Sequence, residues 1–472
     1  MDGSSTSRRY TSDAAPDCDA VTSTTPQHAA PPDPDTILRS RGYVMILVFG
    51  ALIGAPVAAI AYFFLYWISE AQQYVFSTLP KDVGFGAEPS WWPIPVLAVS
   101  GVLVGLTIRH LPGTAGHEPA EGFKASGPVR PIDLPGIIIA SFATLSLGVV
   151  LGPEAPLIAI GSGLGILALH YLKRDAPAQA LMLIGAAGSF AAISTLLGSP
   201  LAGAFLLMEA AGLGGAMAGV VLVPGLLAAG IGTLMFVGLD NLTGFGTFSL
   251  AVPDLPPFTT PTGAEFLWAV GIGLAASVLG TGIRRLALFM EPLVMRRRVL
   301  LTPVAGFAVG SLAVAFAAGS DKGSSEVLFS GQSALPSLIQ NAASWTVGAL
   351  VLLVVCKGLA YAASLSAFRG GPTFPGMFIG AAGGIALSHL PGLPMIAGVA
   401  MGMGAMTVVM LGLPLTSVLI TALFLQSDGL ALTPLIIVAV VVAYVASKRL
   451  EPTPVDATPS PPVPATAGTK EG

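Results

Sequence analysis

Charge is what this 472-residue chain has least of, with Asp, Glu, Lys and Arg together at 10%. An average soluble domain carries about 25%, so this chain has too little polar surface to cover a globule in water. Basic residues form no patch larger than Arg296-Arg297-Arg298, which excludes the electrostatic footprint of a nucleic-acid binder. Cysteine is nearly missing, with Cys18 in a polar tail and Cys356 in an apolar run, and no disulfide framework follows. A zinc-protease motif fails as well. His117-Glu118 is followed at the second ligand position by Glu121 instead of His. His170 and His389 stand near expected helix ends without partner motifs, so neither an intramembrane enzyme nor a cofactor is expected. The first thirty-odd residues are rich in Ser, Thr, Asp and Pro, with no early apolar core of a signal peptide.

What the chain has is hydrophobic residues, 53% of the total, and 58 glycines. Its mean hydropathy is +0.80. These values predict an all-α, multi-pass integral membrane protein in which glycines let helices pack closely in lipid. Residues 1–38 and 448–472 read as polar tails low in apolar content, and the second is too short for a folded regulatory domain. Between them the pattern divides into a first membrane unit at 39–239, a proline-containing linker at 240–262 and a second membrane unit at 263–447. Trp91 and Trp92 read as interfacial anchors. Basic residues gather at 39–41, 109, 124–130, 284–298 and 448–449. The excess of Lys and Arg in cytoplasmic loops then places these segments and both termini inside the cell. Several apolar segments are 13–16 residues long, shorter than the roughly 20 an upright crossing needs. Short, broken helices suit a transporter.

One carboxylate stands out. From Leu134 to Leu172 the only Asp, Glu, Lys or Arg is Glu154, inside Gly152-Pro153-Glu154-Ala155-Pro156. An ionisable group at membrane depth costs roughly 2.5–3.5 kcal/mol on insertion scales and marks a functional site by default. The flanking prolines break regular helix, which is tolerated only where backbone is buried in protein or lines a cavity. The window 152–165 matches 371–384 at six of fourteen positions, at an offset of 219 residues. A second pair, 188–201 and 402–415, also matches at six of fourteen, offset by 214, and shares Gly-x-Pro-Leu. Two windows in the same order at nearly the same offset predict a duplicated architecture, with a binding site where the broken segments meet. Only the first half carries the glutamate, so the two broken segments are expected to play unequal parts at that site.

At these residues the sequence resembles the CLC family of chloride channels and proton-coupled chloride exchangers, as a divergent, prokaryote-like member. The family motif G-R-E-G-P resembles Gly152-Pro153-Glu154-Ala155-Pro156, and G-x-F-x-P resembles Gly371-Pro372-Thr373-Phe374-Pro375. G-S-G-I-P is matched loosely by Ala115-Gly116-His117-Glu118-Pro119. Gly198-Ser199-Pro200-Leu201 followed by Glu209, and Gly402-Met403-Gly404-Ala405 with Pro414-Leu415-Thr416, add support. The likeness covers roughly residues 40–447. It implies an inverted-repeat fold with tilted and broken helices, assembled as a homodimer with one pore per protomer. It also implies chloride or a similar small anion held at half-helix N-termini, where free N–H groups and the helix dipole favour negative charge.

By the resemblance, Glu154 is the gate: a carboxylate that competes with the anion for the same donors and leaves when protonated. Gly152, Ala155, Thr373, Phe374 and Gly116 are the expected anion-binding positions, through backbone or hydroxyl groups. Ala115 or Gly116 stands at the family's inner serine, so that hydroxyl is missing, and Thr373 is the candidate to restore one. Pro153 and Pro372 lie in the two anion-facing turns without N–H groups. Glu209 is the only charge between Ala176 and Leu239 and fills a structural glutamate position; next to it, Ala210 replaces the exchangers' inner proton glutamate. Either Glu209 carries protons or proton coupling is lost, which tilts the expectation toward a gated passive channel. A proton–chloride antiporter and a carrier of fluoride or nitrate are the alternatives. Tyr444, the nearest candidate for the family's pore tyrosine, reads better as an interfacial anchor.

Overall fold

The computed structural model describes residues 34–86, 88–123, 127–212, 216–244, 258 and 260–451. Most of both tails with Cys18, Lys124, residues 213–215 and the centre of the linker lie outside these residues. The first half contains α1 (Pro34–Leu38), α2 (Arg41–Gln73), α3 (Leu79–Asp82), α4 (Pro93–His110), α5 (Leu134–Ser146) and α6 (Glu154–Leu172). It continues with α7 (Ala178–Leu197), α8 (Pro200–Ala210) and α9 (Ala216–Thr243). The second half contains α10 (Gly263–Arg296), α11 (Arg298–Gly319), α12 (Leu335–Gln340) and α13 (Val347–Ala367). After them come α14 (Thr373–Leu387), α15 (Met395–Leu411), α16 (Pro414–Phe424) and α17 (Gln426–Leu450).

Among the described residues nine helices are long and apolar enough to cross a membrane: α2, α4, α6, α7, α9, α10, α11, α13 and α17. Helices α5, α8, α14, α15 and α16 are apolar but shorter, and α8 and α16 have only 11 residues each. A helix rises 1.5 Å per residue, so an 11-residue piece spans about 16 Å, roughly half of the hydrocarbon core.

The duplication seen in sequence is physical. α7 and α15 both end on a left-handed glycine, Gly198 at φ 60° and Gly412 at φ 72°, a conformation a Cβ would strain. Pro200 and Pro414 then open α8 and α16, where a missing N–H costs nothing. The helix pairs α6–α7 and α14–α15 touch through matched glycines. A Cβ on Gly188 would lie 2.1 Å from the Gly161 carbonyl oxygen, and one on Gly402 would lie 2.1 Å from that of Gly380. Backbone-to-backbone contact of this kind replaces hydrophobic driving force inside lipid.

Three boundaries differ from the sequence reading. Residues 34–38, expected in the tail, form one helical turn because Ile37 and Leu38 pack against the cluster of Tyr43, Leu183 and Val220. α9 runs on to Thr243, and α10 to Arg296. The basic segment 284–298 is therefore mostly helical, with Arg284 paired to Glu451 at 2.6 Å and Arg298 paired to Glu118.

Lys357, in the middle of α13, is fully buried. Its ammonium donates to the carbonyls of Glu326, Val327 and Leu328 at 3.0–3.1 Å and lies 4.4 Å from the centre of the Phe378 ring. It ties the loop after α11 to α13 and α14.

Candidate functional site

The site is built where the chain leaves α5 and α13 and turns into α6 and α14. Gly152 donates to the Gly371 carbonyl at 2.8 Å, and Gly371 donates to the Gly152 carbonyl at 2.6 Å. The two repeat windows thus meet in a single antiparallel bridge. Helices α6 and α14 start two residues beyond it.

The prolines that open both windows occupy the N-cap, Pro153 for α6 and Pro372 for α14. A second proline sits at the third helical position, Pro156 and Pro375. The first amides of a helix have no intrahelical acceptor. Each terminus therefore offers two N–H groups, from Glu154 and Ala155 in α6 and from Thr373 and Phe374 in α14. The cap prolines do not deplete this set. Gly152, by contrast, has its amide committed to the bridge. Its contribution is a missing side chain, which makes room for the glutamate.

Glu154 is fully buried and reaches across the bridge to α14. Its Oε1 accepts from the Phe374 amide at 3.1 Å. Its Oε2 is buried and makes no hydrogen bond of good geometry, though the Thr373 hydroxyl and the Glu154 and Thr373 amides lie beside the carboxyl group. A carboxyl group thus sits at the dipole-favoured end of a helix, with one oxygen poorly satisfied. Such an arrangement is costly unless a proton, an ion or a rearrangement completes it.

Tyr361 was not singled out by the sequence. Its buried hydroxyl donates to the Pro372 carbonyl at 2.7 Å and fixes the turn that launches α14. Tyr444 lies elsewhere, near the end of α17, with the Lys448 ammonium 5.9 Å from its ring centre.

A cavity adjoins the bridge, lined by Gly116, His117, Ala155, Pro156, Arg369 and Pro372 among others. Gly116 and Ala155 of the expected anion positions face it; Thr373 and Phe374 lie on the Glu154 side of the turn. His117 is held inside its loop, its Nε2 3.0 Å from the Gly122 carbonyl and its Nδ1 4.0 Å from Glu121. Beside it Glu118 pairs with both Arg369, at 3.1 Å, and Arg298. Burial pushes the Glu118 carboxyl up, but a hydrogen bond from Glu291 and the two guanidiniums outweigh it and hold the group below the usual carboxylate range.

Glu209 takes its hydrogen bonds from α16 and none from the bridge. Its carboxylate accepts from the Leu415 amide at 2.9 Å, the Thr416 amide at 2.7 Å and the Thr416 hydroxyl at 2.6 Å. It caps α16 from α8, joining the two halves. Glu209→Gln is expected to weaken this cap by about 1.5–3 kcal/mol, the range for hydrogen bonds to a charged group. Thermal unfolding in detergent would show a lowered midpoint; an unchanged midpoint would remove the capping role.

Residues 100–448 match the family described as voltage gated chloride channel. The chain is 30% identical over 365 residues to "Putative ion-transport protein YfeO" of Salmonella choleraesuis (strain SC-B67), covering 75% of this chain and 84% of that protein. The same figures hold for the protein of that name from Salmonella newport (strain SL254). Among solved structures, a slow cyanobacterial Cl-/H+ antiporter superposes with a TM-score of 0.70 at 19% identity, covering 86% of this chain and 94% of the other. A CLC-type fluoride/proton antiporter gives a TM-score of 0.64 at 19% identity, with 86% and 96% covered. These two likenesses bear on the fold.

Proposed function

This chain belongs to the CLC family of voltage-gated chloride channels and related transporters, and on that premise we propose that it moves chloride or a similar small anion across the cell membrane. The observation that carries the reading is Glu154: a buried carboxylate on an N-terminal amide of α14, at the place where a dehydrated anion would find its donors. The carboxylate and the anion compete for the Phe374 amide, and protonation of Glu154 removes its claim to it. Passage follows when the side chain leaves.

A gated passive channel is the form we favour. Ala210 offers no proton carrier, and both oxygens of Glu209 are engaged by α16. A proton-coupled exchanger is the second reading, and the facing carboxyl groups of Glu118 and Glu291 favour it, since such a pair can share a proton. In this proposal both termini are cytoplasmic, and the protein works as a homodimer with a pore in each protomer.

The test is flux from liposomes holding the purified protein, with chloride, fluoride and nitrate at two pH values. Saturable anion efflux supports transport. Chloride efflux that drives protons uphill would replace the channel with the exchanger, and efflux of fluoride alone would replace the ion.

A further inference from the structure

The cavity beside the bridge has few polar groups able to hold an anion. Gly116 brings no hydroxyl, Pro156 and Pro372 have no N–H, the His117 ring is engaged by its own loop and the Ser141 hydroxyl donates to the Ile137 carbonyl, which leaves the Ala155 amide at the start of α6. Arg369 adds what a neutral amide does not: it is a permanent cation, 5% exposed, lining the cavity two residues before the bridging Gly371. Its counterpart at the repeat offset of 219 residues is Val150, so this charge belongs to the second half alone, as Glu154 belongs to the first.

Three contacts hold the guanidinium. Nε donates to the Thr114 carbonyl at 3.2 Å, Nη1 to the Phe368 carbonyl at 3.3 Å and Nη2 to Glu118 Oε1 at 3.1 Å. A guanidinium has five N–H groups, so two remain. The Thr114 contact falls on a strained turn, since Thr114 and Ala115 are left-handed at φ 50° and 58°. Non-glycine residues pay for that conformation and keep it where the surroundings impose it. The carboxylate that faces Arg369 is shared: the same Glu118 oxygen also pairs with Arg298. One Glu118 oxygen thus serves two guanidiniums, and the Glu291 carboxyl, hydrogen-bonded to Glu118, is a second acidic group acting on Arg369.

We propose that Arg369 is an anion-binding side chain of this cavity, and that Glu118 is the counter-charge an entering anion displaces in part. The inference rests on the anion-transport reading above and names a ligand group for it. An unpaired buried cation would hold an anion too tightly for conduction, which needs a site the ion can leave. Glu118 removes that difficulty by competing for the guanidinium, as Glu154 competes for the Phe374 amide on the other side of the turn. Each anion station then carries its own resident carboxylate.

The experiment is chloride binding by calorimetry to the full chain in detergent, with liposome flux measured alongside. Arg369→Gln is expected to weaken chloride binding about tenfold or more, the loss of one charge-assisted hydrogen bond. Glu118→Gln is expected to tighten it, and tests the same site without removing the cation if the first variant fails to fold. Chloride affinity within about twofold of wild type in folded R369Q overturns the inference, as does weaker binding in folded E118Q. Wild-type protein that neither binds nor passes any halide overturns the transport reading itself, an outcome separate from either variant result.

Discussion

Replacing Glu154 with glutamine is expected to raise chloride flux at neutral pH by about tenfold or more and to flatten its pH dependence. The magnitude follows from what the carboxylate holds. A hydrogen bond from a backbone amide to an ionised group contributes about 1.5–3 kcal/mol net, and 1.4 kcal/mol is a factor of ten in a population. Glutamine keeps the size of the side chain and an acceptor oxygen but loses the charge, so its claim on the Phe374 amide weakens while the cavity shape survives. Alanine removes the competitor altogether and should behave at least as strongly. Flux through liposomes at several pH values would measure both. Wild-type pH dependence in either variant would take Glu154 out of the gate, whatever happened to the rate.

Much of this site could be read from residue order. A lone carboxylate in an apolar run, inside a window that recurs 219 residues later, pointed to the place where α6 and α14 begin. The left-handed glycines at 198 and 412, with prolines two residues on, repeat in space as they do in sequence. What pattern matching could not supply was the use of each backbone group. Pro153 and Pro372 look like lost donors until the helix start is known; they then prove to be caps. Gly152 looks like a donor until its amide is found in the bridge.

The residues that escaped notice did so for physical reasons. Tyr361 and Lys357 lie on one apolar helix, and what they touch is set by tertiary packing between α13, α14 and the loop after α11. Lys357 carried a usable signal, since the argument that singled out Glu154 applies equally to a lone cation in an apolar span. Arg369 looked like an ordinary charge at the end of a span. Its burial beside the cavity depends on Glu118, 251 residues away in sequence. That distance is bridged by the fold and by no local pattern.

The bridge itself sets up the sharpest perturbation. Alanine at Gly371 is expected to keep the fold and still release the gate. A Cβ there would lie 1.9 Å from Glu154 Oε2 and 3.1 Å from its Cβ; one at Gly152 would lie 2.1 Å from the same oxygen. Neither glycine has a left-handed φ, so alanine is compatible with the backbone, and the atoms in the way belong mostly to the end of a flexible side chain. The carboxylate has to move. This separates Gly371 from Gly188 and Gly402, where a Cβ would strike carbonyl oxygens of a neighbouring helix and nothing flexible can yield. Gly371→Ala should therefore reproduce the raised, pH-insensitive flux of Glu154→Gln, while Gly402→Ala should lose folded protein. The double variant Gly371→Ala with Glu154→Ala should match Glu154→Ala alone, because the added methyl acts only by displacing a carboxylate that is already gone. Folded Gly371→Ala protein with wild-type pH dependence, or a double variant with additive effects, would mean that the carboxylate between the two glycines is not what closes the path.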